Sequence, residues 1–249
     1  STITELAAPT ALRPPEPRAA FTARVSERLR HRNRAVTPWD VERLVLEAFP
    51  EVTMAKCLPH LTRASPVPAP GHMTLVALRT PEPGSSANAP CLFDVAALEQ
   101  MRDTIAPLAP EFAKIEVVNP AFERLQVRAR VHIRAEREHG AMAQRLKDEI
   151  ARYLSVWTAP DALQRFGWRL NVQLLRAHIG QLSYVRKVSA FSVLHLAGND
   201  FQQFELLDTA QTPRDPRGGA YGPMVRPRAP WALPLAAPDH VLSLSTQAD

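Results

Sequence analysis

Four residues come nearest to a metal-binding pattern. Cys57 and His60 have Cys-x-x-His spacing, and His72 and Cys91 could close a tetrahedral set. A structural zinc site ordinarily presents two tight ligand pairs, and only one exists here. Cys57 also falls in a run that reads as a buried strand, where a free cysteine behaves as a small hydrophobe. His132, His139, His178, His195 and His240 are scattered, none beside a serine or cysteine in a nucleophile setting. Nucleophile elbows, phosphate-cradling glycine loops and dinucleotide fingerprints are missing from the sequence. Asp40, Glu42 and Glu47 share one helical segment with local arginines, so capping and ion pairing explain them better than acid–base work. Asp148 and Glu149 are adjacent and point apart on a helix, so they cannot share a proton. The residues describe neither an enzyme nor a cofactor or metal site.

The remaining chemistry is that of arginine. The formal net charge is +5, and of the 30 basic residues only four are lysine. Arginine's planar fork pairs bidentately and tolerates partial burial, which suits protein interfaces. One group, Arg24, Arg28, Arg30, Arg32 and Arg34, precedes Trp39. Another, Arg128, Arg130 and Arg134, shares one phase of an alternating strand. A basic nucleic-acid-binding module is the alternative reading, but +5 over 249 residues supports it weakly. Aromatic residues, at 6%, are not interleaved with basic ones as a single-strand stacking platform requires. Tryptophans 39, 157 and 168 read by default as core. Trp231 lies in a proline-rich segment, Arg226-Pro227-Arg228-Ala229-Pro230-Trp231, and either anchors in a partner's pocket or docks back on its own domain.

The elements that must position these groups follow from periodicity and punctuation. Prolines 9, 14, 15 and 17 make residues 1–21 an extended arm, and with two glutamates and no basic head this is not a signal peptide. A short helix runs from Thr22 to His31, with Glu27 placed to pair with Arg30. Thr37-Pro38-Trp39-Asp40 is a helix start, and Val41, Leu44, Val45, Ala48 and Phe49 keep helical spacing up to Pro50. Residues 51–61 and 72–79 read as strands around the connection Pro66 to Gly71. Residues 80–90 are a loop, Val95 to Leu108 a helix closing near Pro107, and 113–118 a strand ended by Asn119-Pro120. Leu125, Val127, Ala129, Val131 and Ile133 alternate strictly with Gln126, Arg128, Arg130, His132 and Arg134. One face is therefore buried and the other a basic stripe, solvated or paired. Met142 to Leu154 is an amphipathic helix. Trp157, Pro160 and Phe166-Gly167 interrupt the pattern, 168–181 fits strand or helix, and 184–196 reads as a closing strand. From 209 to 239 the chain is an irregular proline-rich arm, with Val241, Leu242 and Leu244 available to join a sheet edge.

This order predicts an α+β fold of two-layer sandwich units with mixed or antiparallel sheets, and extended proline-rich arms at both ends. The units are 22–110 and 111–208, flanked by an N-terminal arm, 1–21, and a C-terminal arm, 209–249. A chain of this length buries about 70–75% of its unfolded surface without staples. Two cysteines are too few for a disulfide framework, which fits cytosolic assembly better than secretion, and no run approaches a membrane span of about 20 apolar residues.

The stretch from Arg24 to Pro50, through Arg30-His31-Arg32-Asn33-Arg34 and Thr37-Pro38-Trp39-Asp40, resembles the C-terminal region of baseplate J-like wedge proteins. Those proteins build the baseplates of contractile phage tails and of phage-tail-like contractile injection systems. Shorter matches follow in order: Lys56-Cys57-Leu58, Pro70-Gly71-His72, Asn119-Pro120 with Phe122-Glu123, Leu154-Ser155 with Trp157, and Phe166-Gly167. The resemblance covers about residues 22–196, with a looser match at Pro230-Trp231 before Val241-Leu242. Proteins of this branch are usually far longer, so the chain reads as a C-terminal part or a short variant. The resemblance implies a structural subunit without catalytic activity. It would pair with a second copy of itself and with another wedge protein, near hub and sheath-proximal proteins. Six wedges would then close a ring around the hub, assembled in the bacterial cytoplasm and rearranging when the sheath contracts. The contact residues expected on this reading are Arg24, Arg28, Arg30, Arg32, Arg34, Trp39, Arg128, Arg130, Arg134 and Trp231.

Overall fold

The structure is a computed structural model that describes residues 17–63, 67–82, 84, 89–134, 139–157, 165–198, 204–210 and 223–246. Most of the N-terminal arm, parts of the loops around Pro66 and 80–90, Pro160 and residues 211–222 of the C-terminal arm lie outside the described residues.

Local signals set the first half. Helix α1 (Arg18–His31) begins right after Pro17, four residues earlier than its apolar spacing suggested and inside the expected arm, because Pro17 ends the proline run. Helix α2 (Pro38–Ala48) opens on a capping box: Thr37 Oγ1 accepts from the Asp40 N–H at 3.2 Å, and Asp40 Oδ2 accepts from the Thr37 N–H at 2.8 Å. Its buried face is Val41, Leu44 and Val45. Strand β1 (Val52–Pro59) runs antiparallel to β2 (His72–Arg79), and β3 (Lys114–Val118) lies parallel on the other side of β2. Helix α3 (Val95–Ile105), capped by Asp94, passes into a 3-10 turn around Pro107, as expected. Asn119 is more than a turn residue. Its side-chain amide both accepts from and donates to the Phe93 backbone, at 2.9 and 2.8 Å, and so fixes the entry to α3.

In the second half, β4 (Ala121–Ile133) is the spine. It pairs antiparallel with β6 (Val185–Gly198), which carries β7 (Phe204–Asp208) on its far side. β6 is therefore interior, not closing. Helices α4 (His139–Leu154) and α5 (Val172–Gly180) cover one face of this sheet, where Leu146, Ile150, Leu154, Leu175 and Ile179 meet Leu125, Val127, Val131 and Ile133. The ambiguous stretch 168–181 resolves into a two-residue strand, β5 (Leu170–Asn171), leading into α5, with Asn171 capping the Gln173 and Leu174 N–H groups.

The C-terminal segment is not simply an irregular arm. Within 223–246 it forms β8 (Met224–Val225), which pairs with β5, then β9 (Ala232–Ala236) and β10 (Val241–Ser245). The last two lie end to end along the free edge of β4, both parallel to it. Side chains bridge the gap between them: Gln126 Nε2 donates to the Asp239 carbonyl at 2.7 Å, and the Val127 N–H donates to His240 Nδ1 at 3.1 Å. Both main sheets are mixed, and with five α-helices among the described residues the fold is α+β. A third apolar cluster joins them: Leu78 of β2, Leu233 of β9 and Val156, with Met54, Phe122, Trp157 and Phe166 around them.

Candidate assembly surface

Arginine and tryptophan organise the junction of α1 and α2. The Arg30 guanidinium lies 4.1 Å from the centroid of the Trp39 ring, and Arg43 approaches the same ring at 5.7 Å. Trp39 is half-buried beneath these cations, not a core residue. Arg28 Nε pairs with Glu47 Oε1 at 2.6 Å, and Glu27 pairs with Arg43 at 3.4 Å instead of with Arg30. Such partly exposed pairs each contribute only about 0–1 kcal/mol, so they orient α1 more than they stabilise it. His31 is buried, and its Nδ1 accepts from the Asn33 N–H at 3.0 Å. Arg32 ends the helix at φ 48° in the left-handed region; it and Arg34 are exposed. Arg24 stacks on Phe21 at 5.4 Å. Of these five arginines, Arg24, Arg28 and Arg30 are thus engaged within the chain, and Arg32 and Arg34 are exposed.

The second basic group is split. Leu125, Val127, Ala129, Val131 and Ile133 are buried as alternation requires, yet Gln126 and His132 on the opposite face are also buried. Cover comes from the far C-terminus, where Ser245 Oγ lies 2.9 Å from His132 Nδ1, and from Ser189 on β6. The stripe is therefore interrupted. Arg128 is paired with Asp208 at 3.0 Å, and Arg130 is exposed. Arg134 lines an open cleft of about 470 Å³ with Ile133, Arg186 and Thr246. The two groups are not one continuous surface.

Trp231 is half-buried, and its carbonyl accepts from the Ala121 N–H at 3.2 Å at the start of β9. Next to this segment lies a pair that residue typing missed. Glu123 and His195 are each 1% exposed, with Oε2 and Nε2 2.6 Å apart. Glu123 Oε1 accepts from the N–H groups of Arg228 and Ala229, and Trp168 meets the His195 ring edge-on at 5.8 Å. One carboxylate thus clips the C-terminal segment onto β4 and β6. The signal was present, since Glu123 has the inward phase of Leu125 and Val127, where an acid demands a buried partner.

The cysteine–histidine set does not gather. Cys57 is buried, its N–H donates to Glu42 Oε1 at 2.9 Å, and burial, with the Glu42 carboxylate second and Lys56 opposing, pushes its thiol up to about 12. A buried thiol held neutral in this way is a poor nucleophile. His60 sits exposed in the left-handed region at φ 59°, and Cys91 Sγ donates to the Ala89 carbonyl at 3.9 Å. Among the described residues no group of three or more His, Cys, Asp or Glu side chains could hold a metal ion. No helix among them is long and apolar enough to cross a membrane.

With this geometry in hand, similarity to known proteins is informative. No curated protein sequence matches the chain. A subunit in the cryo-electron-microscopy structure of the anti-feeding prophage baseplate, sixfold symmetrised, superposes with a TM-score of 0.61 at 16% identity over 89% of this chain. At that identity the likeness is one of fold, and the chain spans only 42% of the length of that subunit. A family model described as baseplate protein PVC11-like matches residues 1–202. The resemblance to contractile-injection-system baseplates is borne out at that level. The chain belongs to the family of PVC11-like baseplate proteins.

Proposed function

We propose that this chain is a wedge subunit of the baseplate of a contractile injection system or contractile phage tail. Its role is structural: it assembles through protein contacts into a sixfold ring around the hub and shifts between discrete packed arrangements when the sheath contracts. Its partners on this reading are a second copy, another wedge protein and hub- or sheath-proximal proteins, joined during assembly in the bacterial cytoplasm. Units 22–110 and 111–208 form the body on this reading, together with the C-terminal strands β8, β9 and β10 that pair into it. The observation that carries the reading is the cluster at the α1–α2 junction, with Arg32 and Arg34 exposed on a chain of the PVC11-like baseplate family.

Arg24, Arg28, Arg30, Arg32, Arg34, Trp39, Arg128, Arg130, Arg134 and Trp231 are the proposed contact residues. The geometry ranks them. Arg24, Arg28, Arg30 and Arg128 already serve intrachain contacts, so Arg32, Arg34, Arg130 and Arg134 are the first to substitute. Alanine at a site desolvated by a partner costs about 2 kcal/mol or more of assembly free energy, and at a rim site little. Electron microscopy of the particle that co-purifies with the chain is the direct test. A sixfold baseplate with density for this chain supports the proposal. A chain that stays outside any such particle, or that is retained on DNA with a steep salt slope, overturns it.

A further inference from the structure

Helix α1 wears its amphipathic pattern reversed. At about 100° per residue, Glu27, Arg30 and His31 fall on one side, and this side faces α2. There Glu27 meets Arg43, Arg30 covers Trp39 and His31 is buried. Phe21, Val25 and Leu29, spaced four apart, make a stripe on the opposite side. Phe21 is 51% exposed and Leu29 71%, with Val25 half-buried. A solitary surface helix normally turns such a stripe inward, because exposing it costs hydrophobic free energy. Around the stripe the charge is one-sided: residues 18–34 hold six arginines and a single glutamate, and that glutamate is already paired. Arg18 and Arg32, both exposed, bracket the stripe at its two ends.

We propose that this face of α1 docks an acidic amphipathic helix of another subunit. Apolar residues at helical spacing would lie against Phe21, Val25 and Leu29, and carboxylates would meet Arg18 and Arg32. That the partner is a baseplate subunit rests on the wedge reading; the required chemistry does not. A second copy of α1 fits poorly, since it would bring two arginine-rich helices together. An anionic membrane fits poorly as well, because α2 lies against the polar side at Glu27, Arg30 and His31, which an interfacial helix would turn to water. Nucleic acid would engage the arginines and leave the stripe bare.

The test uses the full chain and a synthetic helical peptide of about 20 residues, with leucine at the a and d positions of each heptad and glutamate flanking them. The wild-type chain binds this peptide, more weakly as salt rises, and does not bind the version with lysine for glutamate. Phe21→Ser with Leu29→Ser weakens binding by about tenfold or more, as does Arg18→Glu with Arg32→Glu. All four sites are exposed, so circular dichroism of both variants matches wild type. Several outcomes overturn the proposal: no binding by wild type, equal binding of the lysine peptide, or binding only after residues 1–16 are deleted. Self-association, or retention on anionic vesicles or DNA, that depends on Phe21 and Leu29 overturns it too. The two proposals separate cleanly. A chain present in the particle that ignores the peptide sinks the docking face alone. A chain that binds the peptide and never enters a particle sinks only the wedge reading.

Discussion

Glu123 shows what one buried side chain can organise. Its carboxylate accepts from His195 and from two backbone N–H groups of the C-terminal segment. Glu123→Ala leaves the buried His195 ring without its acceptor and unpairs two part-buried backbone N–H groups, and is expected to lower the unfolding free energy by about 1–3 kcal/mol. Replacing both partners, Glu123→Leu with His195→Leu, should recover part of the loss, although the two backbone donors remain unmet. Urea titration of both variants measures it. His240 supplies the pH dependence. Burial lowers its pKa from 6.5 to about 4, with Asp239 opposing and Lys147 adding to the shift. The folded state therefore holds the ring neutral where the unfolded chain binds a proton. Stability is full above pH 6.5 and falls as the pH drops toward 4, by about 3 kcal/mol in total. His240→Leu orphans the Val127 N–H and is less stable at pH 7, but its urea midpoints should vary less between pH 4 and 6.5. At this scale the sequence is legible where phase alone decides. Leu125 to Ile133 alternate inward as read, and Glu123 shares that phase. Gln126 and His132 escaped because their cover arrives from Asp239 and Ser245, more than a hundred residues downstream.

Elements were readable in proportion to how local their causes are. Helix α2 carries its own start signal in Thr37, Pro38 and Asp40, and the structure reproduces it as a capping box. Thr37→Ala should cost about 1 kcal/mol, seen as a lower urea midpoint with an unchanged slope. Strand β6 had no such marker, and its interior position depends on β7, which the sequence left unassigned. Its pairing with β4 also slips: Arg128 faces Ser192 and Arg130 faces Ser189, so two steps on β4 match three on β6. Ala190 takes up the extra residue at φ 48°, a left-handed conformation in which a Cβ costs about 1–2 kcal/mol. Glycine removes that clash but loses more chain entropy on folding. Ala190→Gly is therefore expected to stabilise the protein by about 0.5 kcal/mol, with a small rise in melting temperature; a fall would show that the bulge is not strained.

Across the whole molecule the decisive feature is how the C-terminal segment is used. Prolines 227, 230, 234 and 238 made it read as an arm, yet Ala232 to Ala237 are buried. A sheet edge reconciles the two facts. Among the described residues β9 is bonded on one side only, to β4, so Pro234 can sit where an interior strand would lose a ladder bond. From there Leu233 reaches the cluster with Leu78 and Val156, in which the face of β2 turned away from α2 and α3 meets the second sheet. Because β2 is buried from Thr74 to Leu78, its outer face is a core in its own right and not a solvated surface. The two sheets should accordingly share one cooperative unit. Leu233→Ala removes a fully buried side chain and is expected to cost about 2–5 kcal/mol. Its signature separates coupled sheets from independent ones. If the cluster joins them, native-state hydrogen exchange speeds up in β2 as well as in β4 and β9, by similar factors, with urea unfolding still a single transition. If only β4 and β9 lose protection and β2 keeps its own, the sheets open separately, and a force applied to one would not be carried to the other through this contact.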